Sequence, residues 1–456
     1  MSHITSIMKK EIREMLTPGS VASIIVMVVL FAGLGLMING EVEKASTLPT
    51  IGIVADEDSS YYDYEYTDAE GNVHKDSWNP VKYLQYLYSD SADKIVVMSS
   101  STSSSDEEIV AEMEEKGIAS VVVFPSASEF MASIEAGESV DVRQLYLYEP
   151  TGMFGTVSTS AVSLVLSYAN SNLSSILILE GGYTNYEFVT NPVTYSTAST
   201  GTYVNGTIQY NISPDSITNA VTSQTMMIPL VIMIIIMMVG SIVISSMGSE
   251  KENKTLETLL TLPIKRTTIV AGKIVAAAIV GLVYGLAYMV GMSIYMGSMT
   301  SMYTSTGTSV DLASIGMALD LTDWLLVLVS MFFAIVCALG ICMILGAFSK
   351  NYKSAQTMTM PLSILAMIPM FVIMFSGWYG SGSMLQAVCF IIPFSHPMMA
   401  MQALMYGDVT LVLEGIAYMA VFALATILIT VKLYNSDILI TGLGQNKYYQ
   451  RLTGRK

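Results

Sequence analysis

The chain has 456 residues, 52% of them hydrophobic and 13% charged, with a formal net charge of −16 and a mean hydropathy of +0.55. Soluble globular chains carry about 25% charged residues, so this composition excludes an ordinary soluble protein. The acid excess argues against a nucleic-acid surface. Most of the acid lies between Glu41 and Glu149, whereas Arg143–Lys251 and Lys273–Lys350 enclose no further Lys or Arg. Apolar runs lie in and beyond those gaps, and a continuous run of about 20 apolar residues reads as a membrane-spanning helix.

Residues 1–17 place Ile4, Ile7, Met8, Ile12, Met15 and Leu16 on one helical face with charges off it, the pattern of an interfacial amphipathic helix. Pro18 and Gly19 break it, and residues 18–40 carry the first span. The charged lead and the lack of a small-residue cleavage site before Glu41 favour a retained anchor over a signal peptide. Residues 41–215 read as a small α/β domain. Expected in it are a strand at Thr50–Ala55, a helix capped by Asn79 through Tyr88, and a strand at Lys94–Met98. Next come a helix capped by Asp106 and closed by Gly117, a strand at Ile118–Phe124, a helix Ala127–Ala136 and a last strand Val140–Tyr148. A long helix follows at Val157–Glu180. The Tyr/Thr/Asn/Ser-rich stretch 183–214 has no order assigned. Ser99–Ser105 reads as a flexible linker or surface loop. The acids at Asp56–Asp58 and Asp106–Glu108 read as a solvated surface or a helix start rather than a cation site.

The second span and its helical extension occupy 216–247, and a polar loop follows at 248–273. Four further spans fall in 274–431, with 432–456 as a polar tail. Within that stretch, the apolar segment near 384–405 is interrupted by Pro393 and Pro397. It fits two half-helices that dip into the bilayer and return better than a crossing. The expected fold is therefore an α-helical polytopic membrane protein of six spans plus a re-entrant pair, with an extracytoplasmic α/β domain between the first two. With six spans, all the Lys and Arg clusters outside the α/β domain fall on one side. The positive-inside rule then places both termini in the cytoplasm of a cell-membrane protein.

The loop 248–273 reads GSEKENKTLETLLTLPIKRTTIVAGK. Leu256, Leu259 and Leu260 share a helical face, Pro263 ends that turn, and Lys265-Arg266 follow. Connecting two spans needs only a few polar residues, so this segment is built to dock on another protein or to rest on lipid. The pattern Glu250-Lys251-Glu252, Thr255-Leu256-Glu257, Leu259-Leu260, Leu262-Pro263 and Gly272-Lys273 resembles the ABC-2 type permeases, the membrane subunits of ATP-binding-cassette exporters. Within them it is most similar to the sodium-efflux type. Ile392-Pro393-Phe394-Ser395 with His396-Pro397 is similar to the family's proline-bearing re-entrant segment. The resemblance implies efflux of an ion or small molecule, two permease subunits in a homodimer, and a cytoplasmic ATPase contacting Glu250–Leu262. ATP and Mg would be held by that partner. No GxxxxGK[ST] loop is present here, so the chain is not expected to be an enzyme or to hold a cofactor or metal.

Glu414, in the last span, is a candidate for cargo or gating, because ionisable residues in spans are costly and often functional. His396 is a candidate ligand or proton site, or simply a polar residue at the re-entrant turn. The 34 methionines raise copper handling, but most occupy apolar positions where Met packs as a hydrophobe. Cys337, Cys342 and Cys389 lie in apolar runs and read as small buried hydrophobes. Asn172, Asn205 and Asn211 begin N-x-[ST] sequons that permit glycosylation. Competing readings are a membrane-anchored sensor or scaffold with a ligand-binding outer domain, and a gradient-driven secondary transporter. The short tail after Lys432 and the lack of internal repeats count against them.

Overall fold

In the computed structural model the described residues are 50–67, 70–150, 157–181, 183–255, 310, 312–349 and 352–435, with scattered positions in 28–35 and 272–298. The chain divides into two compact units. One holds the described residues of Glu41–Ala220 and Tyr303–Gly316, the other those of Met1–Gly40, Val221–Met302 and Met317–Lys456. The first and third expected spans, and the N-terminal interfacial helix, lie largely outside the described residues.

The first unit is an α/β domain. Its elements are β1 (Ile51–Val54), β2 (Tyr62–Thr67), β3 (Val73–Trp78), α1 (Pro80–Leu87), β4 (Ile95–Val97), α2 (Asp106–Lys116), β5 (Ser120–Val123), α3 (Ala127–Ala136), β6 (Val140–Asp141), β7 (Arg143–Leu147), α4 (Val157–Glu180), α5 (Tyr186–Thr190), β8 (Val193–Thr194), β9 (Thr200–Val204) and β10 (Thr207–Tyr210). A mixed six-stranded sheet runs in the order β10-β9-β7-β5-β1-β4. Side chains of a strand alternate between faces, and here both faces are covered. Ile51, Ile53, Val122 and Phe124 pack with α1, α3 and α4, whereas Val54, Val121 and Val123 pack with Ile109, Val110 and Met113 of α2. Gly52 belongs to the α2 side, where a Cβ would stand 2.6 Å from Val121 Cγ2. Tyr61 is fully buried among Phe124 and Phe130, and its hydroxyl accepts from Asp56 N and donates to Pro125 O.

Several local expectations shift. The helix α2 is capped by Ser105, whose hydroxyl accepts from Glu108 N, not by Asp106. Asp106 instead pairs with Arg143 at 2.7 Å and accepts from the Tyr210 hydroxyl. The expected strand Val140–Tyr148 is two strands, β6 pairing with β8 and β7 with β5 and β9. The β2–β3 hairpin was not expected, although Tyr62, Tyr64 and Tyr66 recur with period two. Ser99–Ser105 is an organised turn: the Glu112 carboxylate accepts from Ser99 N, Ser100 N and the Ser100 hydroxyl, and pairs with Lys116 at 2.6 Å. Asn172 accepts from the Trp78 indole N–H at 3.0 Å, which occupies one sequon's side chain internally. Residues after 302 also join this unit, with Asn205 Nδ2 donating to Ile315 O.

Five described helices are long and apolar enough to cross a bilayer: Val162–Glu180, Pro214–Glu252, Leu321–Phe348, Tyr352–Ser376 and Val409–Leu433. The first, within α4, buries Val162, Val165, Leu166, Ala169 and Leu173 in the core of the α/β unit. The helical unit holds α7 (Met227–Glu252), which follows α6 (Pro214–Thr225), with α8 (Leu321–Phe348), α9 (Tyr352–Thr357), α10 (Thr359–Ser376), α11 (Ser383–Ile391), α12 (Ser395–Met405) and α13 (Val409–Asn435). At its centre is α8, packed on α7, α12 and α13. Small residues let these helices approach closely. A Cβ at Gly240 would stand 2.9 Å from Cys342 Sγ, and one at Gly346 2.7 Å from Met247 Sδ. All three cysteines are free and buried. The segment near 384–405 is two short helices broken at Ile392–Phe394.

Candidate functional site at the end of the Met227–Glu252 helix

The apolar sequence of α7 runs out at Ser249, and the helix continues to Glu252, five residues further than the expected end of the span at 247. Glu250, Lys251 and Glu252 therefore stand on its last turn. Successive helical residues point about 100° apart, so three adjacent charges face three different neighbours. The Glu250 carboxylate accepts from the Ser246 hydroxyl at 3.3 Å and lines a cavity of about 240 Å³ with Met247, Ala276, Val280, Leu339 and Met343. The Lys251 ammonium donates to Ala347 O at 2.5 Å and to Ser349 O at 2.9 Å. Glu252 accepts from Tyr352 N at 3.0 Å, where α9 begins.

The last carbonyls of a helix lack partners within it and carry its negative end. At the end of α8 that need is met twice over: Ser349 Oγ caps Gly346 O, and Lys251 takes Ala347 O and Ser349 O. The first N–H groups of a helix have the opposite need, which Glu252 meets at Tyr352. Beyond Glu252 the chain reverses. Lys254 adopts φ 56, its N–H donates to Lys251 O, and the Thr255 hydroxyl donates to Glu250 O. Leu256, Glu257, Leu259, Leu260 and Pro263 lie outside the described residues.

The second group of expected residues assembles around the break between α11 and α12. Cys389 O and Ile392 O keep backbone donors there, Ile392 N and Ser395 N, whereas Phe390 O and Ile391 O are released, and in an apolar setting each needs a donor. Ser395 Oγ donates to Cys389 O and Ile392 O, His396 Nε2 to Phe390 O at 3.0 Å, and the Tyr418 hydroxyl to Ile391 O at 2.5 Å. His396 is thus a helix-capping side chain whose proton sits on Nε2. Its Nδ1 is buried without a partner, against the space where Gly415 carries no side chain. The rings of Phe390 and Tyr418 enclose it at centroid distances of 4.8 and 5.2 Å. Sequence reasoning missed Tyr418, Ser395 as a cap and Gly415. Pro393 lies in the break, and Pro397 is the third residue of α12, where its missing N–H costs no helical bond. Glu414 is exposed on α13 and has no hydrogen-bond or ion-pair partner among the described residues. Asp408 instead caps Leu411 N and accepts from the Tyr379 hydroxyl. No cluster of metal-ligating residues occurs among the described residues.

A crystal structure of a domain of a candidate ABC type-2 transporter from Thermotoga maritima MSB8 is 19% identical to the chain. It covers 37% of this chain and 96% of its own length, but a TM-score of 0.27 is too low for the likeness to bear on the fold. No curated protein matches the chain. The model of the ABC-2 family transporter proteins matches residues 19–432, which span nearly the whole chain and include both groups of residues above. The chain belongs to the ABC-2 family, as a membrane permease component of an ABC transporter.

Proposed function

We propose that this permease works as one of two identical membrane subunits of an exporter, each driven by a separate cytoplasmic ATPase that grips the segment following Glu252. The observation that carries the reading is the junction of Glu250, Lys251 and Glu252. It braces the end of one apolar helix against two neighbours just before a segment whose sequence spacing puts Leu256, Leu259 and Leu260 on one helical face. A loop that only joined two spans would need neither that bracing nor that face. The Lys and Arg bias supports a cytoplasmic position for the segment, and hence for both termini, with the α/β unit outside. The resemblance to sodium-efflux permeases makes sodium the first cargo to assay.

ATP closure of the paired ATPases displaces the gripped segment, and the displacement reaches the spans through the end of α7. Charged residues at the rim of such a contact set register and partner choice more than affinity, so the leucines supply the grip. The test is a pull-down of the tagged chain from membranes of its own cells. A cassette ATPase is expected with the wild type and lost with Leu256→Asp or Leu259→Asp. Equal recovery with both variants refutes the reading.

A further inference from the structure

We propose that Lys251 and Glu252 form the mechanical joint that carries displacement of the gripped segment to the end of α8 and the start of α9. This rests on the ATPase-driven reading above and names the positioning residues within it.

The geometry is that of a tie rather than a local cap. Lys251 lies on α7, yet both oxygens it holds, Ala347 O and Ser349 O, belong to the end of α8 about a hundred residues away in sequence. Glu252, the next residue, holds the first N–H of α9. Ser349 and Tyr352 are therefore held by two consecutive residues of one helix, by a cation at a negative helix end and an anion at the following helix start. Neither the end of α8 nor the start of α9 can shift against the end of α7 without breaking at least one charge-assisted bond.

Packing next to the joint removes slack. Met247, Met343 and Ala347 are buried together, one turn before Lys251, and Gly346 leaves no room between α8 and Met247. Motion is transmitted through such contacts because packed interiors switch between arrangements rather than deform smoothly. The segment that would be gripped begins at once beyond Glu252, with Thr255 bonded back to Glu250 O. Force on it enters α7 at the turn that holds the tie. A Lys251 serving stability alone would leave no trace in a nucleotide-dependent signal.

The experiment uses the chain in membranes with the ATPase that the wild type recovers. Gln356→Cys, on the exposed side of α9, serves as a reporter, since Cys337, Cys342 and Cys389 are buried. Its maleimide labelling rate is measured with and without ATP plus vanadate. The wild-type response is expected to fall at least about fivefold in Lys251→Met, the low end of a coupling energy carried by one element. The response is normalised to the ATPase recovered with each variant, and Lys251→Arg regains much of it. A full wild-type response in Lys251→Met overturns the proposal. If that variant fails to accumulate, Glu252→Ala decides instead, because its side chain is exposed. A full response there also overturns the proposal, and a diminished one supports it. A wild-type complex with ATPase bound but no response at position 356 overturns the joint alone. Failure to recover any ATPase overturns the functional reading, and the joint with it.

Discussion

Gly340→Ala tests whether the helical unit is held together by close approach of α8 and α13. A Cβ at 340 would lie 2.6 Å from Thr426 Cβ and nearer still to its hydroxyl. Ordinary carbon contact begins at 3.4 Å, so the two helices must part by about 0.8 Å or Thr426 must turn away. Thr426 is not free to turn. It is 5% exposed, and its hydroxyl donates to Ala423 O at 2.9 Å. Thr430, in turn, donates to Thr426 O. Overpacking of this kind costs about 1–3 kcal/mol, and the upper end applies where the neighbour is tied and the helix is 28 residues long. The assay is reversible unfolding of the purified chain in detergent–lipid micelles, comparing wild type, Gly340→Ala, Thr426→Gly and the double variant. The double variant should recover most of the loss, giving a coupling of about 1–2 kcal/mol. A Gly340→Ala protein as stable as the wild type refutes the reasoning, because it would mean that α8 and α13 are not packed as described.

Two further outcomes follow from polar groups. Burial alone would raise the Glu112 carboxyl, but Lys116, the Ser100 hydroxyl and the backbone N–H groups of Ser99 and Ser100 outweigh it and bring the carboxyl down to about 2. A lowered carboxyl contributes stability that is present above the ordinary value near 4.5 and is lost as pH falls through about 2. With surface screening the contribution is about 1–2 kcal/mol, and Glu112→Gln should flatten that part of the acid-unfolding curve of the α/β unit followed by Trp78 fluorescence. In the helical unit, a Cβ at Gly415 would lie 2.6 Å from His396 Nδ1. Gly415→Ala should displace the ring, orphan Phe390 O and cost about 2–4 kcal/mol. Adding His396→Ala should relieve the clash and restore part of the loss in the same unfolding assay.

Local rules were enough for much of the fold. Asn79, Gly117, Gly137 and Gly181 end or begin helices where capping chemistry puts them, and three of the glycines sit at positive φ as helix C-caps demand. Strands β1 and β5 were legible because β-branched runs buried on both faces are continuous. The stretch 183–214 was not legible, since β8, β9 and β10 are short and polar and exist by pairing, β8 with β6, β9 with β7 and β10 with β9. Asp106 misled for the same reason: its sequence neighbours suggest a cap, but Arg143 and Tyr210 claim it from across the sheet.

At the candidate sites, sequence alone identified a charged triplet, a proline-broken apolar segment and a histidine within it, because charge and proline are conspicuous in apolar surroundings. It also determined that the chain is a multi-span membrane protein with a folded α/β insertion, since hydropathy and period depend only on neighbours along the chain. Only the tertiary structure decided what the marked residues do. Lys251 caps a helix whose end is 96 residues away, and His396 and Tyr418 satisfy carbonyls that the break at Pro393 releases. A buried polar group must find a partner somewhere, but which one it finds is set by how the helices pack, and that no local pattern records.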